Sequence, residues 1–137
     1  MSAENKYLKY RSLWLFIGYT LIVILIYQTL TDSPVSVGVS VSDKFMHTVG
    51  YFILMGWFVQ VFHSKKQRFL WAIFFIAMGI SMEFLQGLGG VRFYEVKDML
   101  ANGLGVVIAW VLSHTKFSNT ILLFEKYVLK VNRESIH

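Results

Sequence analysis

A few residues in this chain have the types and spacings that acid–base and headgroup chemistry require. Asp43 and His47 stand four apart, so on a helix they share a face; Asp98 and Asn102 do the same, and Glu83 and Gln86 stand three apart. Histidine is the side chain whose ordinary titration falls nearest neutral pH, which makes it the usual general acid or base. Asp43 or Asp98 can orient such a ring, while Glu83 can act as a second acid–base group or as a nucleophile. Arg92, with Lys44, offers charge-assisted donors to a phosphate or carboxylate. Gln86 and Asn102 offer neutral donors and acceptors to hold the rest of a headgroup. Asp43, His47, Glu83 and Asp98 are also oxygen and nitrogen ligands suited to a divalent cation, although no spacing among them is diagnostic of one. Plainer roles stand beside these. Asp43 and Asp98 fit as helix caps, Arg92 and Lys97 as headgroup anchors, and Glu83 as the partner of Arg92 in a structural ion pair.

The elements that must bring these residues together are membrane helices. The chain has 137 residues, 55% of them hydrophobic and only 15% charged, against about 25% charged in an ordinary soluble domain. With 12 Phe, 7 Tyr and 4 Trp, a globule of this size has too little interior to hide its apolar surface. That composition argues against a soluble enzyme and excludes a disordered chain. The length makes a single domain over residues 1–137. No cysteine is present, so disulfides and thiolate metal sites are excluded.

Four apolar stretches, at about 12–31, 45–64, 69–89 and 97–115, read as transmembrane helices. The third is long enough only if Glu83 is admitted into it, and the fourth begins among charged residues. The fold class expected is therefore all-α: an integral membrane bundle of four transmembrane helices. The strand-like alternation VSVGVSVS in the loop before Asp43 suggests a short extended segment. The turn HSKKQR is short, which makes the second and third helices an antiparallel hairpin. Residues 117–132 have apolar positions at helical spacing, with Glu125, Lys126 and Lys130 between them. They read as an amphipathic helix in the membrane interface, or one packed beneath the bundle. Gly103 and Gly105 suggest close backbone approach in the fourth helix.

Charge orients this bundle. Ten of the 13 basic residues, among them Lys9, Arg11, Lys65, Lys66, Arg68, Lys116 and Lys126, fall before the first span, in the middle turn or after the fourth. The positive-inside rule then puts both termini in the cytoplasm of a bacterial cell, with a multi-pass protein in its inner membrane. The basic residues become lipid anchors, and nucleic acid is excluded as a partner. The first span has the basic leader and apolar core of a signal peptide, but no good small-residue cleavage site follows it, so it is expected to stay as an anchor. This orientation places Asp43, Lys44, His47, Glu83, Gln86, Arg92, Glu95, Lys97, Asp98 and Asn102 in one outer layer.

The segments DKFMH from Asp43, EFLQ from Glu83, Arg92, and DMLANGLG from Asp98 resemble the VanZ-like membrane protein family. The likeness covers about residues 13–112, and the order of the motifs carries it rather than any one of them. The segment RFYEVKD is more charged than the family's usual sequence at that place. The resemblance implies a stand-alone four-helix member of a group whose founder is associated with low-level teicoplanin resistance, and it brings no mechanism with it. Two functions follow as expectations. One is an enzyme acting on a lipid or lipid-linked envelope molecule, with His47, Glu83, Asp98 and Asp43 as catalytic groups and Arg92, Gln86, Asn102 and Lys44 binding the substrate. The other is a non-catalytic protein binding a glycopeptide, a lipid headgroup or a partner protein. A small transporter subunit is a weaker third.

Overall fold

In the computed structural model, which describes residues 8–30, 43–88 and 96–130, the described chain is helical and no described residue forms a strand. The helices are α1 (Arg11–Leu30), α2 (Asp43–Val61), α3 (Lys65–Leu88), α4 (Val96–Leu112) and α5 (Thr120–Tyr127), with a 3-10 turn at Lys116–Asn119 before α5. The expected extended segment before Asp43 lies outside the described residues. Three residues, 62–64, join α2 to α3 and fold them into the expected hairpin.

The principal contact in the bundle is between α2 and α4. Ala101, Gly105 and Ala109 are all buried and recur every fourth residue, so they form one small-residue stripe along α4. A Cβ placed on Gly105 would stand 2.2 Å from the Thr48 carbonyl oxygen and 2.8 Å from the Phe52 amide nitrogen. The two backbones therefore touch there, and only glycine permits it. The Thr48 hydroxyl reaches the Ala101 carbonyl at 3.2 Å and the Lys44 carbonyl at 2.9 Å, which pins the same crossing. Gly103, by contrast, faces open space, so the expectation of close approach holds at Gly105 and fails at Gly103.

Along α3, the buried residues Arg68, Ala72, Phe75, Gly79, Glu83 and Gln86 repeat at intervals of three and four. They form one inward stripe. Its apolar part meets Phe58 of α2, whose ring centroid lies 4.4 Å from that of Trp71 and 5.1 Å from that of Phe75. Phe58, Phe75, Leu54, Met55 and Val106 are among the most completely buried side chains, so the core runs along α2. The outward residues of α1, including Phe16, Val23, Ile24 and Tyr27, are large, apolar and exposed, as suits a lipid-facing helix.

Two helices, Arg11–Leu30 and Lys65–Leu88, are each long and apolar enough to cross a membrane. The pair Val96–Leu112 and Lys116–Tyr127 qualifies as a third if taken as one span bent by 82°. The other two expected spans fall short for physical reasons. α2 begins earlier than expected and takes in Asp43 and Lys44, while α4 alone has 17 residues, or about 26 Å.

The tail takes the second of its two expected arrangements, but its expected polar face does not hold. It is a 3-10 turn and an eight-residue helix packed beneath the bundle. Glu125, read from sequence as part of a polar face, is fully buried. Its carboxylate accepts the Lys9 and Tyr10 amides at 2.9 Å each and the Trp14 indole N–H at 2.7 Å. It thereby satisfies donors at the start of α1, which no earlier residue of that helix can reach. Gln60 of α2 ties the same region together by donating to the Phe117 carbonyl and accepting from the Ile121 amide at 3.1 Å. Arg68 is likewise not a surface anchor. It is buried, donating to the Val59 carbonyl at 3.0 Å, the Phe62 carbonyl at 2.6 Å and the Ser113 carbonyl at 3.2 Å. One guanidinium thus closes the last turns of both α2 and α4.

The α2–α4 contact makes a directional prediction. Gly105→Ala should lower stability by about 1–3 kcal/mol, because its new methyl meets backbone rather than a movable side chain. Gly103→Ala should be neutral or stabilising by about 0.5–1 kcal/mol, since it gains only helix propensity. Thermal unfolding of both variants in one detergent checks the order; equal effects would contradict the crossing.

Candidate functional site

The N-terminal turns of α2 and α4 and the C-terminal part of α3 meet at the end of the bundle away from α5. His47 comes from α2, Glu83 from α3 and Asp98 from α4. One nitrogen of His47 and one oxygen from each carboxylate all lie within 4.8 Å of one another. Glu83 and Asp98 are each only 1% exposed. Burying two carboxylates at this depth is costly, so their convergence on an imidazole calls for an explanation beyond packing.

Each side chain is aimed by its helix. Glu83 follows Phe75 and Gly79 on the inward stripe of α3, so the register that builds the core also turns this acid inward. Asp98 and Asn102 share the inward face of α4. Asn102 is held from the far side, its Nδ2 donating to the Gly79 carbonyl at 3.4 Å. A Cβ on Gly79 would stand 2.9 Å from the Asn102 Cβ, so glycine there makes room for the amide. With Nδ2 committed to that carbonyl, Oδ1 faces His47 Nδ1 at 2.8 Å. An amide oxygen only accepts, so Nδ1 carries the proton. In the neutral ring Nε2 is then left with its lone pair, 3.9 Å from Asp98 Oδ2. The arrangement presents a basic nitrogen to two buried carboxylates, with its tautomer set by a neighbouring amide.

Lys44 closes the rim. Its ammonium lies 2.6 Å from Asp98 Oδ1, with the lysine side chain 40% exposed and the aspartate 1%. Tyr51, one turn along α2 from His47, is 2% exposed and within electrostatic range of Glu83. Its hydroxyl has no hydrogen-bond partner among the described residues, an omission that ordinarily costs about 1–3 kcal/mol.

The remaining sequence candidates are placed as follows. Gln86 is buried but turned toward α1, its Nε2 donating to the Thr29 carbonyl at 2.6 Å, while its Oε1 has no partner among the described residues. Asp43 is the first residue of α2, and its side chain lies outside what the structure describes. Arg92 and Glu95 also lie outside the described residues. Lys97 is exposed on the first turn of α4. Of the two carboxylates expected to orient His47, Asp43 has its side chain outside the described residues and Asp98 lies 3.9 Å from Nε2, while Asn102 meets Nδ1 at 2.8 Å. Sequence reading overlooked Gly79, whose signal was its place four residues before Glu83 on the same stripe.

Chemically, the cluster can accept or donate a proton at His47 Nε2, and Lys44 can attract an anion. His47, Glu83 and Asp98 also form a mixed nitrogen and oxygen ligand set that suits a divalent cation.

Apolar helices around a buried polar cluster of this kind define a small membrane protein. A family model described as VanZ/LLP1 matches residues 5–119, and the chain belongs to that VanZ-like family. No curated protein and no solved structure matches it.

The tautomer is testable. In the native protein, nitrogen-15 spectra of labelled histidine should show His47 as the Nδ1–H form when neutral. In Asn102→Ala the signal should move toward the Nε2–H form, which a free histidine side chain prefers. The same change should lower stability by about 1–3 kcal/mol, because the Gly79 carbonyl loses its donor. An unchanged tautomer would contradict the role given to Asn102.

Proposed function

We propose that the protein is an inner-membrane enzyme of the VanZ-like family that binds and modifies an anionic lipid or lipid-linked headgroup at its outer face. One observation carries the reading: three helices deliver His47, Glu83 and Asp98 to within 4.8 Å of one another in a buried place. Lys44 at the half-exposed rim, with Arg92 from the adjoining loop, draws in the headgroup's negative charge. His47 Nε2 takes or gives the proton. Glu83 acts as second acid–base group or nucleophile, and Asp98 holds both the lysine and the imidazolium. The hydroxyl of Tyr51 stands ready to bond a bound headgroup oxygen. Teicoplanin resistance enters through the family, as an effect on the envelope to which such chemistry contributes.

His47→Gln and Glu83→Gln, in protein that still unfolds cooperatively, should each lower turnover of bacterial envelope lipids by at least about a hundredfold. Lipid binding should change much less. If folded wild-type protein turns over none of these lipids, the enzymatic reading fails and a binding protein remains. The same assay with a chelator separates two chemistries: unaffected turnover supports proton transfer by His47, and loss restored by an added divalent ion supports a metal held by the three residues.

The proposed membrane arrangement has four crossing helices, α1 to α4, with both termini in the cytoplasm. It rests on the basic residues at the α5 end and on the exposed apolar faces of α1, α3 and α4. Because the chain has no cysteine, single-cysteine labelling is unambiguous. An impermeant maleimide on intact cells should modify Lys97→Cys and spare Ser64→Cys, and inverted vesicles should reverse the result.

A further inference from the structure

At the other end of the bundle, about 24 Å along α2 from His47, a cleft of about 880 Å³ opens between the α2–α3 turn, the end of α4 and the 3-10 turn. Five of its lining residues are Lys, Arg or His: His63, Lys65, Arg68, His114 and Lys116. No carboxylate among the described residues lines it. We propose that this cleft is a second binding site, for the phosphate headgroup of an anionic lipid drawn from the leaflet on that side. The site is independent of the reading given to the His47 cluster.

Charge is the first argument. Arg68 is buried and spends its donors on the carbonyls that end α2 and α4, so it builds the wall. Lys65 and Lys116 are exposed, and neither forms an ion pair among the described residues. The first turn of α3 holds Lys65, Lys66 and Arg68 and no acidic residue. Cations are the wrong sign for a helix N-terminus, whose dipole is positive. An anion seated there relieves both the dipole and the lysines.

Shape is the second argument, and it selects a lipid over a free phosphate. The cleft's volume suits a headgroup. Its lining passes from the lysines to Trp110, Leu122 and Leu123. From that apolar side the exposed Val107, Ile108 and Val111 continue along α4. α4 and the tail bend by 82° at this corner, and in the proposed membrane arrangement the basic end of the bundle lies where water meets hydrocarbon. Phosphate among the lysines and acyl chains along α4 is the pose that uses both halves.

The test uses the full chain purified in detergent and short-chain phosphatidic acid as probe, with phosphatidylcholine of the same chains as control. Phosphatidic acid should bind saturably, and phosphatidylcholine at least about tenfold more weakly. The double variant Lys65→Gln with Lys116→Gln removes exposed groups only and should fold. It should weaken phosphatidic acid binding by about tenfold or more. Lys126→Gln, which removes a charge outside the cleft, should leave binding unchanged. Equal binding of the two lipids, full binding by the double variant, or an equal loss in Lys126→Gln would overturn the site. Inorganic phosphate that binds as tightly as the lipid would overturn the choice of a lipid headgroup.

Discussion

The structure depends most on the contact of α2 with α4 at Gly105. A side chain there would collide with the Thr48 carbonyl, so any other residue pushes the helices apart. Their close approach decides what happens one to two turns away, because His47 is next to Thr48 while Asp98 and Asn102 lie on the same face of α4 as Ala101 and Gly105. Rigid helices in backbone contact hold the imidazole at 2.8 Å from the Asn102 amide. A looser crossing would leave Asn102 short of the ring and Asp98 buried without its present neighbours. The small residues along α4 are thus part of how the polar cluster is made.

α3 adds the third component by register. Its inward stripe carries Phe75 into the core, Gly79 against Asn102 and Glu83 into the cluster. One helical repeat therefore couples apolar packing to polar placement, and a shift along α3 that misplaced Glu83 would also unseat Phe75 from Phe58. This coupling is how a chain of 137 residues can hold ionisable groups in its interior. The energy of the aromatic core offsets the desolvation of a few carboxylates nearby.

Much of this was legible in sequence, and the rest was hidden for identifiable reasons. Helix positions followed from apolar run length, and the meeting of His47, Glu83 and Asp98 followed from alternating helix direction together with spacings of three and four. The direction in which a charged residue faces was less accessible. Arg68 and Glu125 looked like surface charges because a lysine-rich turn and a short amphipathic tail surround them. Their partners are backbone groups, the carbonyls ending α2 and α4 and the amides beginning α1. Every sequence has such groups, so no residue type announces them. Close approach was expected at both Gly103 and Gly105, and only Gly105 lies on the inward stripe with Ala101 and Ala109.

The two ends of the bundle show why one set of buried acids is a candidate for chemistry and the other is not. Glu125 receives three donors at 2.7–2.9 Å, two of them main-chain amides fixed by the helix start. A carboxylate whose oxygens are taken up by fixed donors has little freedom to meet a ligand. Asp98 instead faces a lysine whose head is partly in water and an imidazole at 3.9 Å, longer than a hydrogen bond. Lys44 and His47 both meet it through side chains, which can turn. The buried Tyr51 hydroxyl, within electrostatic range of Glu83, has no hydrogen-bond partner among the described residues. Among the described residues, Glu125 meets main-chain amides, whereas the contacts of Asp98 with Lys44 and of His47 with Asn102 are between side chains. That difference in partners, more than burial alone, is what makes the His47 end the candidate for chemistry.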